Sequence, residues 1–144
     1  MLDQFILGLS VVMQPNVLVY AFFGVFLGQL IGVLPGVGAI TAISLLLPVT
    51  FYLDATSSMI LLAGIYYGSQ YGGSIASILL NLPGTPSSVV TCLEGYPLAQ
   101  SNRAGLALFV AAFSSFLGGM VGVAILVLAA IPMTVIALKF GAPE

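Results

Sequence analysis

Long apolar stretches alternate along the chain with short clusters of glycine, proline and polar residues. The first, residues 17–34, would form a helix of about 27 Å at the standard helical rise, close to the thickness of a bilayer core. Three further apolar segments follow, at residues 37–53, 59–82 and about 105–131. The pattern predicts an all-α integral membrane protein with about four membrane segments, several of them broken by glycine and proline.

Prolines divide or end these segments. Pro48 interrupts the second one, and Pro132 is expected to kink or end the last helix, since proline removes a backbone donor and clashes with the preceding turn. Before the first span, residues 2–13 form a short apolar stretch that Pro15 and Asn16 stop. Because Asp3 stands where a secretory signal carries Lys or Arg, we interpret residues 1–16 as a retained interfacial helix.

Composition supports a membrane location. Of 144 residues, 60% are hydrophobic and 4% are charged, with a mean hydropathy of +1.24, whereas a soluble domain has about a quarter charged residues. Residues 4–53, 55–93 and 104–138 contain no charge, and residues 87–104 are the most polar stretch, predicted as a loop outside the hydrocarbon. The positive-inside count is tied between one arginine and one lysine, so it does not orient the chain.

The residue types exclude several functions. There is no cluster of Lys and Arg, which excludes nucleic-acid binding by phosphate contacts. With no histidine and only Cys92, the chain lacks the usual zinc ligands, so no metal site is expected. No base is placed to activate a serine, so no catalytic residue is assigned and an enzyme is not expected.

Glycines recur every fourth residue in the first span, at Gly24, Gly28, Gly32 and Gly36. In lipid, helices associate by close backbone contact, which small residues at this spacing permit. We therefore assign Gly24, Gly28 and Gly32 to helix packing. A moving contact between rocking helices is the alternative.

The first break in the apolar pattern is Pro35-Gly36-Val37-Gly38. Broken helices persist inside a membrane only where protein or a water-filled cavity satisfies the freed backbone groups. A half-helix starting near Gly38 would present free N–H groups and a positive dipole end, which suit a carboxylate. An ordinary interfacial turn between two spans is the other interpretation.

The third segment carries polar side chains on one helical face, at Gln70, Ser74, Ser77 and Asn81. Polar groups on a membrane helix must face protein or water. They either hydrogen-bond neighbouring helices or line a pathway, and several copies could also bring them around one channel.

A second break, Pro83-Gly84-Thr85-Pro86, ends the third segment. Two broken membrane segments are typical of a transporter's binding site, and the full pattern needs corresponding breaks in two halves of a repeat. The chain shows one half of such an architecture.

The charged residues have simpler expectations. Asp54 is predicted to cap a helix by accepting a backbone N–H near Ser57, with a cation ligand as the alternative. Glu94 and Arg103 are expected in a solvated loop rather than in a buried pair.

Four motifs together resemble the TctA family, the large membrane subunit of the tripartite tricarboxylate transporters. They are G-x-x-x-G-x-L-P-G-V-G at 28–38, YGGSIASILLNLPGTPSSVVT at 71–91, EGYPLAQSNRAGLAL at 94–108 and FGAPE at 140–144. The resemblance implies a multi-pass secondary transporter of the bacterial inner membrane that imports citrate-like or other carboxylates. It also implies a periplasmic solute-binding protein, a small membrane subunit and a sodium or proton gradient as partners, without an organic cofactor.

From the resemblance and the chemistry of the two breaks, substrate contact is expected at both. The candidates are Pro35, Gly36, Gly38, Ser74, Ser77, Asn81, Pro83, Gly84, Thr85 and Pro86. Members of the family are several times longer, so residues 1–144 are expected to be the N-terminal portion of such a domain, as a fragment or split product. A structural or assembly subunit, or a small oligomeric channel without carboxylate specificity, remains the alternative function.

Overall fold

The computed structural model describes residues 2–137, and every regular element among them is helical. The elements are α1 (Leu2–Val12), α2 (Pro15–Gly32), α3 (Gly38–Leu46), a 3-10 helix (Leu47–Tyr52), α4 (Ala55–Leu80), a short 3-10 turn (Pro86–Ser88), α5 (Val89–Leu98), a π-helical turn (Ala99–Arg103) and α6 (Ala104–Ala137). Residues up to Leu108 form one compact unit, and those from Phe109 onward form a second. The FGAPE motif lies outside the described residues.

The all-helical fold agrees with the prediction, and the number of membrane-crossing segments agrees with it in part. Two helical stretches are long and apolar enough to cross a membrane, Pro15–Gly32 and one within Pro86–Ala130. Large apolar side chains such as Phe22, Phe26 and Leu30 are exposed on α2, as a lipid-facing surface requires. That about four segments cross the membrane stays a prediction.

Helices α2 and α4 pack through glycines on both sides of their contact. The α2 glycine ladder is Gly24, Gly28 and Gly32, and the α4 glycine ladder is Gly64, Gly68 and Gly72. A Cβ atom added at any of these positions would lie against backbone atoms of the other helix, and at Gly24 it would be 2.5 Å from the carbonyl oxygen of Leu61. The two backbones are therefore in direct contact.

The register of this contact makes α2 and α4 parallel. In chain order, Gly24 meets Leu61, Gly28 meets Ile65 and Gly32 meets Ser69. Because residue numbers rise together along both helices, the chain between Gly32 and Ala55 must return along the length of α2. It does so through α3 and the 3-10 helix, where Ala42 packs on Leu61 and Ile65 of α4 in a small buried core.

The start of α4 matches its prediction. The N–H of Ser57 donates to Oδ2 of Asp54 at 3.0 Å, so Asp54 caps the helix as expected. At the other end, Asn81 adopts the left-handed conformation with φ 57°, and its N–H donates to the carbonyl of Ser77. Asparagine and glycine are the residues that commonly end helices in this way.

Two local expectations are corrected. The stretch 87–104, predicted as a polar loop, contains α5, because Gly95 lets this helix approach Ile78 of α4; a Cβ at Gly95 would be 2.7 Å from Ile78 Cγ1. The left-handed Asn102, with φ 60°, then turns the chain into α6. Of the two outcomes expected at Pro132, a kink or an end, the end does not occur, because Pro132 lies inside α6. A kink at this position stays a prediction. Pro97 likewise lies inside α5. In a long apolar helix the neighbouring hydrogen bonds hold the helix across a single missing donor.

Candidate functional site

A cavity of about 400 Å³ lies where the two breaks in the helical pattern meet. Its lining residues are Val37, Gly38, Ala39, Ile40, Thr41, Tyr66, Gln70, Thr85 and Pro86. They come from the first turn of α3, the middle of α4 and the second break. None of these lining residues is charged, so any ion in the cavity would be held by dipoles and neutral hydrogen-bond groups.

The first break supplies backbone donors. Gly36 and Gly38 have φ of +84° and +68°, a conformation that favours glycine, and neither would bring an added Cβ within 4 Å of another group. These glycines are therefore required by the turn and not by packing. The turn starts α3 at Gly38, as predicted, and no side chain caps its N-terminus. The N–H groups of its first turn remain available beside the cavity.

The second break is held in place by contacts with α2 and α4. Gly84 is buried, and an added Cβ would lie 2.6 Å from Cα of Gly73. Thr85 follows it and is only 4% exposed. Its N–H donates to the hydroxyl of Ser88 at 3.2 Å, and that hydroxyl donates to the carbonyl of Thr85 at 2.8 Å. These bonds fix the backbone of Thr85 at the wall of the cavity.

Three side chains connect the second break to α4. The hydroxyl of Ser87 donates to Oε1 of Gln70 at 3.0 Å, and Oγ1 of Thr85 lies 3.1 Å from Oγ of Ser87. Gln70 is half-buried and Ser87 is exposed. The loop and the helix therefore share one hydrogen-bonded chain at the edge of the cavity.

The cavity lies beside the middle of α4 and not beyond its end. Tyr66 and Gln70 lie near the midpoint of Ala55–Leu80, and Gln70 precedes the end of the helix by about 15 Å at the standard rise. The packing of Gly84 on Gly73 brings the second break back to the same level. Both breaks thus lie within the length of α4.

Other sequence-predicted residues lie apart from this lining. Gly38, Thr85 and Pro86 are brought together, whereas Pro35, Gly36 and Pro83 are exposed on the flanking turns. Ser74 donates to the carbonyl of Gln70, and the fully buried Ser77 donates to the carbonyl of Gly73, so both hydroxyls bond to their own helix. Asn81 is exposed at the end of α4. A substrate contact at these residues stays a prediction.

The binding residues predicted from the sequence do not include Thr41, Tyr66 or Ser87. Thr41 lies one helical turn after Gly38, which places it near the start of any half-helix beginning there, so this spacing was the available signal. Gln70 was noted on the polar face of α4 but not among the binding residues. A second cavity, about 210 Å³, has only apolar or aromatic side chains around it, including Tyr20, Leu46 and Leu61. Of the two, the first is therefore suited to a polar solute.

Comparisons with known proteins agree with the sequence motifs. The family model described as the tripartite tricarboxylate transporter TctA family matches residues 18–144. A curated relative, a 52.8 kDa protein in the TAR-I ttuC' 3' region of Agrobacterium vitis, is 51% identical over 138 residues. The match covers 96% of this chain and 28% of that relative's length. No solved structure matches the chain significantly.

Proposed function

Because this chain belongs to the tripartite tricarboxylate transporter TctA family, we propose that it forms part of the membrane subunit of a secondary transporter that imports tricarboxylates or related carboxylates. The observation that carries the proposal is the cavity between the two breaks, beside the middle of α4. In transporters, a polar solute binds at breaks in membrane helices, where free backbone N–H groups replace its contacts with water.

The cavity suits an anion in spite of its lack of basic side chains. The first turn of α3 offers unpaired N–H groups, and a helix N-terminus carries roughly half a positive elementary charge. One such helix end stabilises an anion by about 0.3–2 kcal/mol, depending on burial. Thr41 and Gln70 add neutral polar groups. Binding of this strength allows the substrate to leave again, as transport requires.

The register of α2 and α4 supports a multi-pass topology. If both parallel helices cross the bilayer, the segment between them must cross it in the opposite direction. The segment α3 with the 3-10 helix has the position and the apolar character for that return. We therefore propose three crossings before Pro83 and a fourth by the apolar helix within Pro86–Ala130.

The word tripartite in the family name supports the proposed partners, and the energy source is a further part of the proposal. A tripartite transporter has two further components, for which we propose a periplasmic solute-binding protein and a small membrane subunit. We propose the bacterial inner membrane as the location and a sodium or proton gradient as the driving force. Replacing sodium by choline, or collapsing the proton gradient with an uncoupler, would separate the two ions.

Uptake of radiolabelled citrate and succinate by cells tests the function. The gene is deleted at its native locus and then restored there, so that all partners are present. Uptake of at least one of the two acids should fall on deletion and return on restoration. Unchanged uptake of both acids would contradict the proposal. Ion conductance by the purified chain in liposomes, without a binding protein, would favour a channel instead.

A further inference from the structure

Gln70 and Tyr66 are the two α4 residues that line the cavity, and the two amide atoms of Gln70 have different surroundings. Oε1 accepts a hydrogen bond from the Ser87 hydroxyl at 3.0 Å. None of the hydrogen bonds among residues 2–137 uses Nε2 of Gln70. The atom of this amide that is free to meet a solute is therefore the one that carries two N–H donors.

The direction of the hydrogen-bonded chain follows from proton counting. A serine hydroxyl has one proton, and that of Ser87 goes to Oε1 of Gln70. In the 3.1 Å contact between the Thr85 and Ser87 hydroxyls, Thr85 must therefore be the donor. The chain runs from Thr85 to Ser87 to Gln70, and each step fixes the orientation of the next group.

We propose that Ser87 is a positioning residue that holds the Gln70 amide with its N–H groups toward the cavity, and that Gln70 thereby selects a deprotonated carboxylate. The inference rests on the proposed function and adds to it the side chain that recognises the anionic group. Ser87 is exposed and absent from the cavity lining, so it acts through Gln70 without touching the substrate.

The reverse orientation of the amide would make a different site. If Oε1 faced the cavity, it would present a partial negative charge to a carboxylate and weaken binding. In the structure the hydroxyl of Ser87 donates to Oε1, which holds this oxygen toward Ser87 and leaves Nε2 for the cavity. The second break thus forms one wall of the cavity. Through the hydroxyl of Ser87 it also orients the Gln70 amide of α4.

The experiment measures initial rates of citrate and succinate uptake in cells carrying variants at the native locus. Ser87→Ala should raise the KM roughly fivefold while leaving the maximal rate within about twofold, as expected when one hydrogen bond that orients a binding group is lost. Ser87→Thr keeps the hydroxyl and should restore the wild-type KM. Ser101→Ala is the matched control, because this exposed hydroxyl bonds only to the carbonyl of Leu98.

Gln70→Glu gives a readout that a purely structural role would not produce. The substitution keeps the shape and replaces the N–H donors by a carboxylate that repels the substrate at neutral pH. At pH 7.5, the uptake rate of Gln70→Glu should be less than about one tenth of the wild-type rate measured at the same pH. Relative to wild type, it should rise steadily as the pH is lowered from 7.5 through about 5 toward the ordinary glutamate pKa of about 4.3, because the introduced carboxyl group offers a donor again once it is protonated. Expressing the rate as a ratio corrects for titration of the substrate itself.

The outcomes separate the two proposals. Absence of citrate and succinate uptake in wild-type cells would contradict the proposed function and the inference with it. Wild-type uptake together with an unchanged KM in Ser87→Ala, or an unchanged rate in Gln70→Glu at pH 7.5, would overturn the inference alone. Should Ser87→Ala lower the amount of protein in the membrane, the pH profile of Gln70→Glu decides.

Discussion

Gly84 rests on the last turn of α2: a Cβ atom at position 84 would lie 2.5 Å from the carbonyl oxygen of Gly32. The same Cβ would lie 2.6 Å from Cα of Gly73 in α4. One glycine therefore holds the second break against both helices, next to the point where the first break begins. The distance between the two breaks, and with it the shape of the cavity, depends on the absence of a side chain at this position.

Gly84→Ala should therefore displace the second break from α2 and α4. Backbone atoms on both sides leave no room for a methyl group, and overpacking of this kind costs about 1–3 kcal/mol. We expect a lower melting temperature in detergent and at least tenfold slower citrate or succinate uptake. Gly105→Ala, where an added Cβ meets nothing within 4 Å, is the control and should behave as wild type. Normal uptake by Gly84→Ala would show that the break need not pack this closely.

Gly28→Ala tests the contact between α2 and α4. The added Cβ would collide with the backbone of Ile65, so the helices must separate. Alanine itself favours a helix over glycine by about 1 kcal/mol, so a loss of stability would have to come from the contact. We expect a lower melting temperature for Gly28→Ala and an unchanged or higher one for Gly8→Ala, which lies in α1 with open space around it. Equal stability of the two variants would argue against direct backbone contact.

The asparagine at position 81 can serve either of two roles. The structure indicates that it ends α4, and the sequence analysis predicts that its amide contacts the substrate. Two substitutions distinguish these roles. Its left-handed conformation ends α4, and glycine adopts this conformation more readily than any other residue. From the structure we expect Asn81→Gly to keep uptake within about twofold of wild type. Asn81→Val, which is strained at φ 57°, should lower the amount of folded protein in the membrane. Loss of uptake in a stable Asn81→Gly protein would instead support a substrate contact by the amide.

Thiol labelling tests whether the cavity contains water. In a Cys92→Ser background, Thr41→Cys should react with a membrane-impermeant maleimide, because this residue is exposed and lines the cavity. Citrate or succinate should slow the reaction several-fold. Phe22→Cys is the control, since this exposed position on the apolar face of α2 should lie in lipid and stay unlabelled. Failure of Thr41→Cys to react from either side of the membrane would place the cavity out of contact with water.

Features that depend on neighbouring residues were predictable from the sequence. The cap at Asp54 needs only a backbone N–H three residues further on, and the helix start at Gly38 follows from the glycines and proline before it. Pro48 likewise lies at the change from α3 to the 3-10 helix. In each case the determining interaction spans less than two helical turns.

Features that depend on distant parts of the chain were not predictable in this way. The four-residue spacing of Gly64, Gly68 and Gly72 can be read from the sequence, but the helix that they contact and the register of that contact cannot. The polarity of residues 87–104 suggested a loop, but the contact of Gly95 with Ile78 keeps α5 against α4. Gln70 lines the cavity whereas Ser77 is fully buried. This difference depends on where α3 and the second break pack along α4, which the sequence of α4 alone does not reveal.

The parallel pairing of the two glycine ladders also limits how the protein can move. A slide of α2 along α4 by less than the ladder repeat would drive side chains into the opposing backbone, so the nearest alternative register is four residues, or about 6 Å, away. The close contacts therefore oppose small displacements along the helix axis, and we expect α2 and α4 to move together. Any alternation between outward-facing and inward-facing states must then arise from elements that hinge around this pair.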